Sequence, residues 1–184
     1  ESNAIELQEE PMAIASVLRR IASNFDSLAE HLDIGYRQSI SETLEETWLL
    51  LDAAKLEKIL NNLLSNALKH THARGVVELS AVQSGENLLL EVSDTGQGIS
   101  EKDLPHIFDR FFQSKQPDAP IQGGTGIGLA LSKELTQLMN GKVTVTSKVG
   151  KGSTFSLCIP YQEVAAWNTY RSMLYQRQKK TSTC

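Results

Sequence analysis

The chain has 184 residues, 40% of them hydrophobic, and a formal net charge of −4. That suits one core-forming domain with appendages, and the lack of a basic run before the C-terminal tail excludes a general nucleic-acid binder. Cys158 and Cys184 are the only cysteines, so no disulfide framework or cysteine metal cluster is expected, and a reducing compartment is. No apolar run is long enough to span a bilayer and no signal peptide is visible; without an initiator Met, the chain is expected to be a piece of something longer.

Residues 1–10 are polar and read as a connector. Pro11 suits a first helical turn. Ile14, Val17, Leu18, Ile21, Phe25, Leu28 and Leu32 follow at three- and four-residue spacing, predicting one amphipathic helix. Leu32, Ile34 and Tyr36 alternate with polar residues, and Trp48 to Leu51 is a short apolar run; each predicts a strand. After Asp52 a long helix is expected, with Leu56, Ile59, Leu60, Leu63, Leu64, Ala67 and Leu68 as its buried face. Asn62 and Asn66 are four apart on one stripe of it, with Lys69 and His70 one turn further. On residue type alone, a solvated face explains the two asparagines as well as a polar site does. In a polar site, Asn66 can offer a neutral oxygen to Mg²⁺ whose charge is balanced by nucleotide phosphates, and Lys69 can reach a phosphate as a point charge.

Val76 to Val82 and Leu88 to Val92 read as strands joined by a hairpin, and the second delivers Asp94. Ser100 with Asp103 resembles a capping box, predicting a short helix from Glu101 to about His106. Phe108, Phe111 and Phe112 are expected to be apolar anchors, whereas Arg110 between them can face a phosphate. Ser114 to Gln122 reads as a loop, and a helix after Gly128 should end at Asn140-Gly141. Lys142 to Ser147 and Ser153 to Ile159 read as strands, Pro160 as the end of the sheet, and the segment from Val164 to Lys180 as a linker or docking helix.

Asp94 to Leu129 is the stretch on which the reading turns. It opens with DTGQGIS and closes with GGTGIGLAL, two glycine clusters around a segment expected to be mobile. The second cluster leads into a helix, whose free N–H groups and positive dipole end make a phosphate seat. Asp94, at a strand end, can accept a hydrogen bond from the amino group of a base. A P-loop is excluded because GxxxxGK[ST] is absent, and the GxGxG spacing without a leading strand excludes the dinucleotide fingerprint. The order of elements predicts an α/β fold, a two-layer α+β sandwich of one mixed sheet with helices on one face and a lid over the ligand.

Together these residues resemble the catalytic, ATP-binding domain of bacterial sensor histidine kinases, in the GHKL superfamily. NNLLSNALKHT resembles its asparagine box, DTGQGIS the first glycine box, FDRFF the phenylalanine box, GGTGIGLAL the second glycine box and GKGSTF the last box, across roughly Pro11 to Tyr161. The resemblance implies a Bergerat-type site for ATP and Mg²⁺. Asp94 then binds the adenine amino group, Gly96 and Gly98 allow its close approach, and Thr154 assists through water. Asn66 ligates Mg²⁺, and Asn62, Lys69 and His70 line the phosphate side. Gly124, Thr125, Gly126, Ile127, Gly128 and Leu129 form the phosphate loop. Arg110, with Lys69 and Asn62, makes up the catalytic set, Arg110 stabilising the transferring phosphoryl group. His70 stands where many members have an aromatic residue, and Gln113 where many have a second arginine. The implied domains are a linker over 1–10, the catalytic domain over 11–162 and a C-terminal helix or linker over 163–184.

His31, His70, His72 and His106 are the only histidines, and none lies in a phosphoacceptor context. The resemblance therefore implies a separate dimerisation and histidine-acceptor domain and a response regulator as partners, with no nucleic acid. It implies a homodimeric full-length protein, a monomeric fragment, and a place in the cytoplasmic portion of a membrane-bound sensor. GHKL ATPase machines, and usually the related anti-sigma serine kinases, carry a water-activating glutamate four residues before the Mg²⁺ asparagine; Asn62 occupies that position, and an amide is no general base. A module that binds nucleotide only to dock partners is the other alternative, and the retained Asp, Asn, Lys and Gly positions weigh against it.

Overall fold

The computed structural model describes residues 6–113 and 125–164. The helix predicted from Pro11 begins only at Ile14: Glu10–Ala13 is a strand, β1. Pro11 lies on the edge of a small sheet, where a missing N–H interrupts no ladder. The single helix predicted to Leu32 divides into α1 (Ile14–Ser23) and α2 (Asp26–His31). At the break the N–H groups of Asn24 and Phe25 donate to the carbonyls of Ile21 and Ala22, the tighter three-residue spacing of a closing turn. Phe25 stays on the core, while Leu28 and Leu32, which a continuous helix would bury, are 42% and 36% exposed.

Gly35–Ile40 forms β2 and Trp48–Leu51 forms β3. Helix α3 (Ala53–His70) is capped by Asp52, whose Oδ1 accepts the Lys55 N–H at 3.0 Å. Every residue predicted for its buried face is at most 4% exposed. Strands β4 (Val76–Ser84) and β5 (Asn87–Asp94) form the expected hairpin. The short helix expected at Glu101 is instead a set of turns with one 3-10 turn at Leu104–His106, although Ser100 Oγ does accept the Asp103 N–H at 3.3 Å. Helix α4 (Gly128–Leu138) is followed by β6 (Lys142–Lys148), β7 (Gly152–Pro160) and β8 (Gln162–Glu163). At the end of α4 the left-handed residue is Asn140 (φ 56°). Gly141 is required by crowding, since a Cβ there would stand 2.7 Å from the Cys158 carbonyl oxygen.

Two sheets result, not one. The larger has the order β2-β4-β5-β7-β6, with β2 parallel to β4 and the other pairings antiparallel. The smaller, β1-β3-β8, joins both ends of the described chain to β3. Val77, Leu79, Leu90, Val92, Phe155 and Leu157 alternate onto the inner face of the large sheet and meet the apolar faces of α1, α3 and α4. The opposite face carries partly exposed polar side chains, among them Ser156, which donates to Glu91 at 2.7 Å.

Candidate functional site

The site lies where the end of β5, the last turns of α3 and the first turn of α4 converge. β5 delivers Asp94, which is paired across the sheet with Ser153 of β7. Asp94 Oδ1 accepts the Gly96 N–H at 2.8 Å. Burial pushes its carboxyl above the ordinary aspartate value, opposed by the N–H groups of Gly96 and Ser153. Removing this group from water without an ionic partner makes sense if a ligand supplies the missing donor.

Gly96 and Gly98 are both demanded by close approach. A Cβ on Gly96 would lie 2.2 Å from the His70 carbonyl oxygen, and one on Gly98 2.1 Å from that of Lys148. The first glycine cluster is thus wedged between α3 and the β6–β7 turn, and the Gln97 N–H donates to the His70 carbonyl at 3.2 Å. The Gln97 amide and His70 Nδ1 are 3.1 Å apart. The His70 ring, open at its outer edge, titrates below the ordinary imidazole value, first through desolvation and then through the charge on Lys69.

Strand alternation puts Ser153, buried beside Phe155, on the face of Asp94, and turns Thr154 to the opposite face across from Ser93. Thr154 stays near the rim, sharing with Asp94, Ser147 and Lys151 the lining of an open cleft of about 330 Å³. Ser153, which the sequence reading did not single out, lies on the inner face opposite Asp94. Its hydroxyl is 2.9 Å from that of Ser147, which also accepts the Ile99 N–H at 2.8 Å. The signal was available in the sequence: Ser153 lies two, four and six positions before the apolar Phe155, Leu157 and Ile159, so a period of two puts it on their face and Thr154 on the other.

The second cluster opens α4 without any side-chain cap, and no acidic residue occupies its first turn. The first-turn N–H groups therefore remain available to an anion. Gly126 is left-handed (φ 66°), and a Cβ there would press on Phe111 at 2.8 Å. Thr125, Gly126, Ile127, Gly128 and Leu129 all lie at this end of α4, whereas Gly124 and the loop expected from Ser114 to Gln122 lie outside the described residues.

On α3, Asn62 faces this turn: its Nδ2 donates to Ser132 Oγ at 2.8 Å. Asn66, partly buried one turn on, makes no side-chain hydrogen bond among the described residues. Lys69 follows on the same stripe. Arg110 does not point free into the site; its Nε and Nη2 donate to Glu134 Oε1 on α4 at 3.0 and 2.7 Å. Of the expected aromatic anchors, Phe108 meets Phe155 edge to face and Phe112 packs on the core, but Phe111 is 72% exposed with φ 66°. It is no anchor: the left-handed turn that bonds its N–H to the Gly126 carbonyl at 2.8 Å throws the ring outward.

The model of the histidine kinase-, DNA gyrase B- and HSP90-like ATPases matches residues 51–163. The sensor protein BceS of Halalkalibacterium halodurans is 38% identical over 155 residues, which is 84% of this chain and 45% of that protein. The aerobic respiration control sensor protein ArcB of Escherichia coli is 36% identical over 167 residues, 90% of this chain and 21% of that protein. The chain thus spans less than half the length of these relatives. Among solved structures, full-length ShkA in complex with AMPPNP superposes with a TM-score of 0.78 at 32% identity, covering 89% of this chain and 33% of that one. The nucleotide-free catalytic domain of the histidine kinase ThkA, at 20% identity and a TM-score of 0.73, shares the fold over 83% of this chain and 95% of that one. With the uncapped helix, the strand-end aspartate and the asparagine stripe in one place, the chain belongs to the family of histidine kinase-, DNA gyrase B- and HSP90-like ATPases, as a catalytic ATP-binding domain of the type carried by sensor histidine kinases.

Proposed function

We propose that this domain binds ATP with Mg²⁺ and transfers the γ-phosphoryl group to a histidine on a separate dimerisation and acceptor domain, from which a response regulator is charged. The observation that carries the reading is that α3 has at one end the loop after a half-buried, unneutralised Asp94, where Gly96 lies against His70, and further back the uncapped start of α4, where Gly128 lies against Asn62. One end suits a base bearing an amino group, the other a chain of phosphates.

Asp94 accepts the adenine amino proton while Gly96 holds its other lone pair in place, and Ser153, steadied by Ser147, assists beside it. The α4 amides at Gly128 and Leu129 receive phosphate oxygens, with Thr125 to Ile127 as the approach to them. Asn66, its amide uncommitted, fits a hydrated Mg²⁺ that takes its remaining ligands from phosphates and water. Bound there, the ion would neutralise charge on the phosphates. Lys69 adds a point charge, and the His70 ring, neutral near pH 7 by its lowered pKa, lines the same side without competing for the anion's charge. Arg110 reaches a phosphate only by leaving Glu134, an exchange between two anionic partners at an exposed site. Asn62 is an amide bonded to Ser132, so it activates no water.

The test supplies a dimeric acceptor-helix domain, fused or in trans, with labelled ATP. Transfer should yield an acid-labile, base-stable phosphoprotein, and Asn66→Asp or Lys69→Ala should abolish it with the circular dichroism unchanged. Rapid ATP hydrolysis by the chain alone, or no labelled histidine once nucleotide is bound and the acceptor present, would refute the reading. The response regulator, the homodimeric state of the whole protein and its cytoplasmic location belong to the same proposal. Among the described residues, no helix is long and apolar enough to cross a membrane.

A further inference from the structure

We infer that Asn62, Ser132 and Gly128 form a strap that sets the phosphate-binding turn of α4 against α3, with Ser132 as its positioning residue. This inference rests on the nucleotide reading above. Ser132 is 1% exposed in the middle of α4. A serine there is at best neutral for the helix, and its packing alone would be met by alanine. Its hydroxyl has one proton and spends it on the Gly128 carbonyl at 3.0 Å. The lone pairs then remain for Asn62 Nδ2, 2.8 Å away on α3. One hydroxyl thus ties the first residue of α4 to the neighbouring helix.

Gly128 closes the strap from the other side. It does not have a left-handed backbone, so glycine is not needed there for conformational freedom. A Cβ at Gly128 would stand 2.1 Å from Asn62 Oδ1 and 2.9 Å from its Cγ. The glycine is needed so that the Asn62 amide can lie directly on the helix start. Asn66 is one turn beyond Asn62 on the same stripe, and Lys69 follows. The strap therefore sets the separation between two groups that act on one phosphate chain: the free N–H groups of α4 and the side chains of α3. Asn62 and Ser132 touch no reacting atom in this scheme; they hold others in register.

The prediction separates the two ends of the nucleotide. Binding of adenosine, ADP and a non-hydrolysable ATP analogue with Mg²⁺ is measured by calorimetry on the whole chain. Ser132→Ala should leave adenosine affinity unchanged and weaken the ATP analogue roughly three- to tenfold, the scale of one lost hydrogen bond. Asn62→Ala should do the same, and the double variant should be no weaker than either single one, because both changes cut one link. Ser132→Thr, which keeps the hydroxyl, should restore the phosphate increment. Gly128→Ala should reproduce the loss by displacing Asn62. If Ser132→Ala does not fold, Asn62→Ala, at a partly exposed position, carries the test alone. Equal loss of adenosine and ATP-analogue binding, or no loss of either, overturns the strap. A wild-type chain that binds adenosine but gains nothing from phosphates overturns the nucleotide reading and the strap with it.

Discussion

At the scale of single residues, Asp94 shows how function and stability pull apart. Its carboxyl has a raised pKa, so the charged form is less favourable in the folded domain without nucleotide than in the unfolded chain. The penalty for holding it charged is absent below the ordinary aspartate pKa, grows as pH rises from there to the raised value, and is complete above the raised value. Asp94→Asn removes the charge and keeps an oxygen for the Gly96 N–H. The nucleotide-free variant should therefore melt no lower than the parent at pH 7, and any difference should shrink in acid. The same variant should lose roughly five- to a hundredfold in ATP affinity, about 1–3 kcal/mol, because an amide in place of the acceptor brings an unwanted donor to the base. Calorimetric melting and ATP titration of one preparation check both halves. The motif made Asp94 legible, but not which hydroxyl side chain stands on its face of the sheet. GKGSTF offers two adjacent hydroxyls, and motif matching alone does not choose between them. The strand period does: Ser153 shares the inner face with Phe155, Leu157 and Ile159. The tie of Arg110 to Glu134 was not legible for a different reason, since Glu134 stands far from it in sequence and meets it only once α4 is docked.

Among the elements, α3 was legible throughout because three independent signals agree on it: a capping aspartate, an unbroken apolar stripe and no internal breaker. The division of α1 from α2 was not, because apolar spacing continues through Asn24 and Phe25 and the break comes from packing beyond the helix. Asp52 caps α3 and takes more than one load. Burial alone would raise its pKa, yet the Lys55 ammonium together with the N–H groups of Gln8 and Lys55 outweighs that and holds it below the usual range. Its stabilising part is present above the unfolded-state pKa and is lost as pH falls through the lowered folded value. Asp52→Ala should cost about 0.5–2 kcal/mol for the cap alone, read as a lower urea midpoint. Asp52→Asn, which keeps a cap oxygen, should retain more of the midpoint but lose the acid-dependent part. Phe111 makes the opposite case. An exposed aromatic ring with a left-handed backbone gains little from burial and carries strain of order 1–3 kcal/mol. Phe111→Gly should therefore be at least as stable as Phe111→Ala in the same urea experiment, reversing the order expected of an ordinary loop position.

Over the whole molecule, the small sheet is what the sequence concealed. β1 was hidden behind a proline that also suits a helix start, and β8 is only two residues long, below any periodic signal. Both pair with β3, so the two ends of the described chain meet on one strand. Their contributions differ in kind. β1 pairs over Glu10 to Ala13 and buries Met12 to 5% exposure. The chain just before it is tied in as well: Leu7 packs on the core, the Gln8 N–H donates to Asp52 Oδ2 at 2.8 Å, and Lys55 Nζ donates to the Glu6 carbonyl at 2.7 Å. Gln162 and Glu163 are exposed, and their strand adds only edge pairing. Deleting residues 1–13 should accordingly remove the burial of Met12, about 1.5–3 kcal/mol on its own, and with it the ladder to β3 and one of the partners holding Asp52. Ending the chain after Tyr161 should remove edge bonds but little apolar burial, for a loss under about 1.5 kcal/mol. Urea unfolding of the two truncated chains should show a large drop in midpoint for the first and a small one for the second. The reverse order would mean that the segment before α1 is a passive tether, and that the domain's N-terminal boundary lies at Ile14.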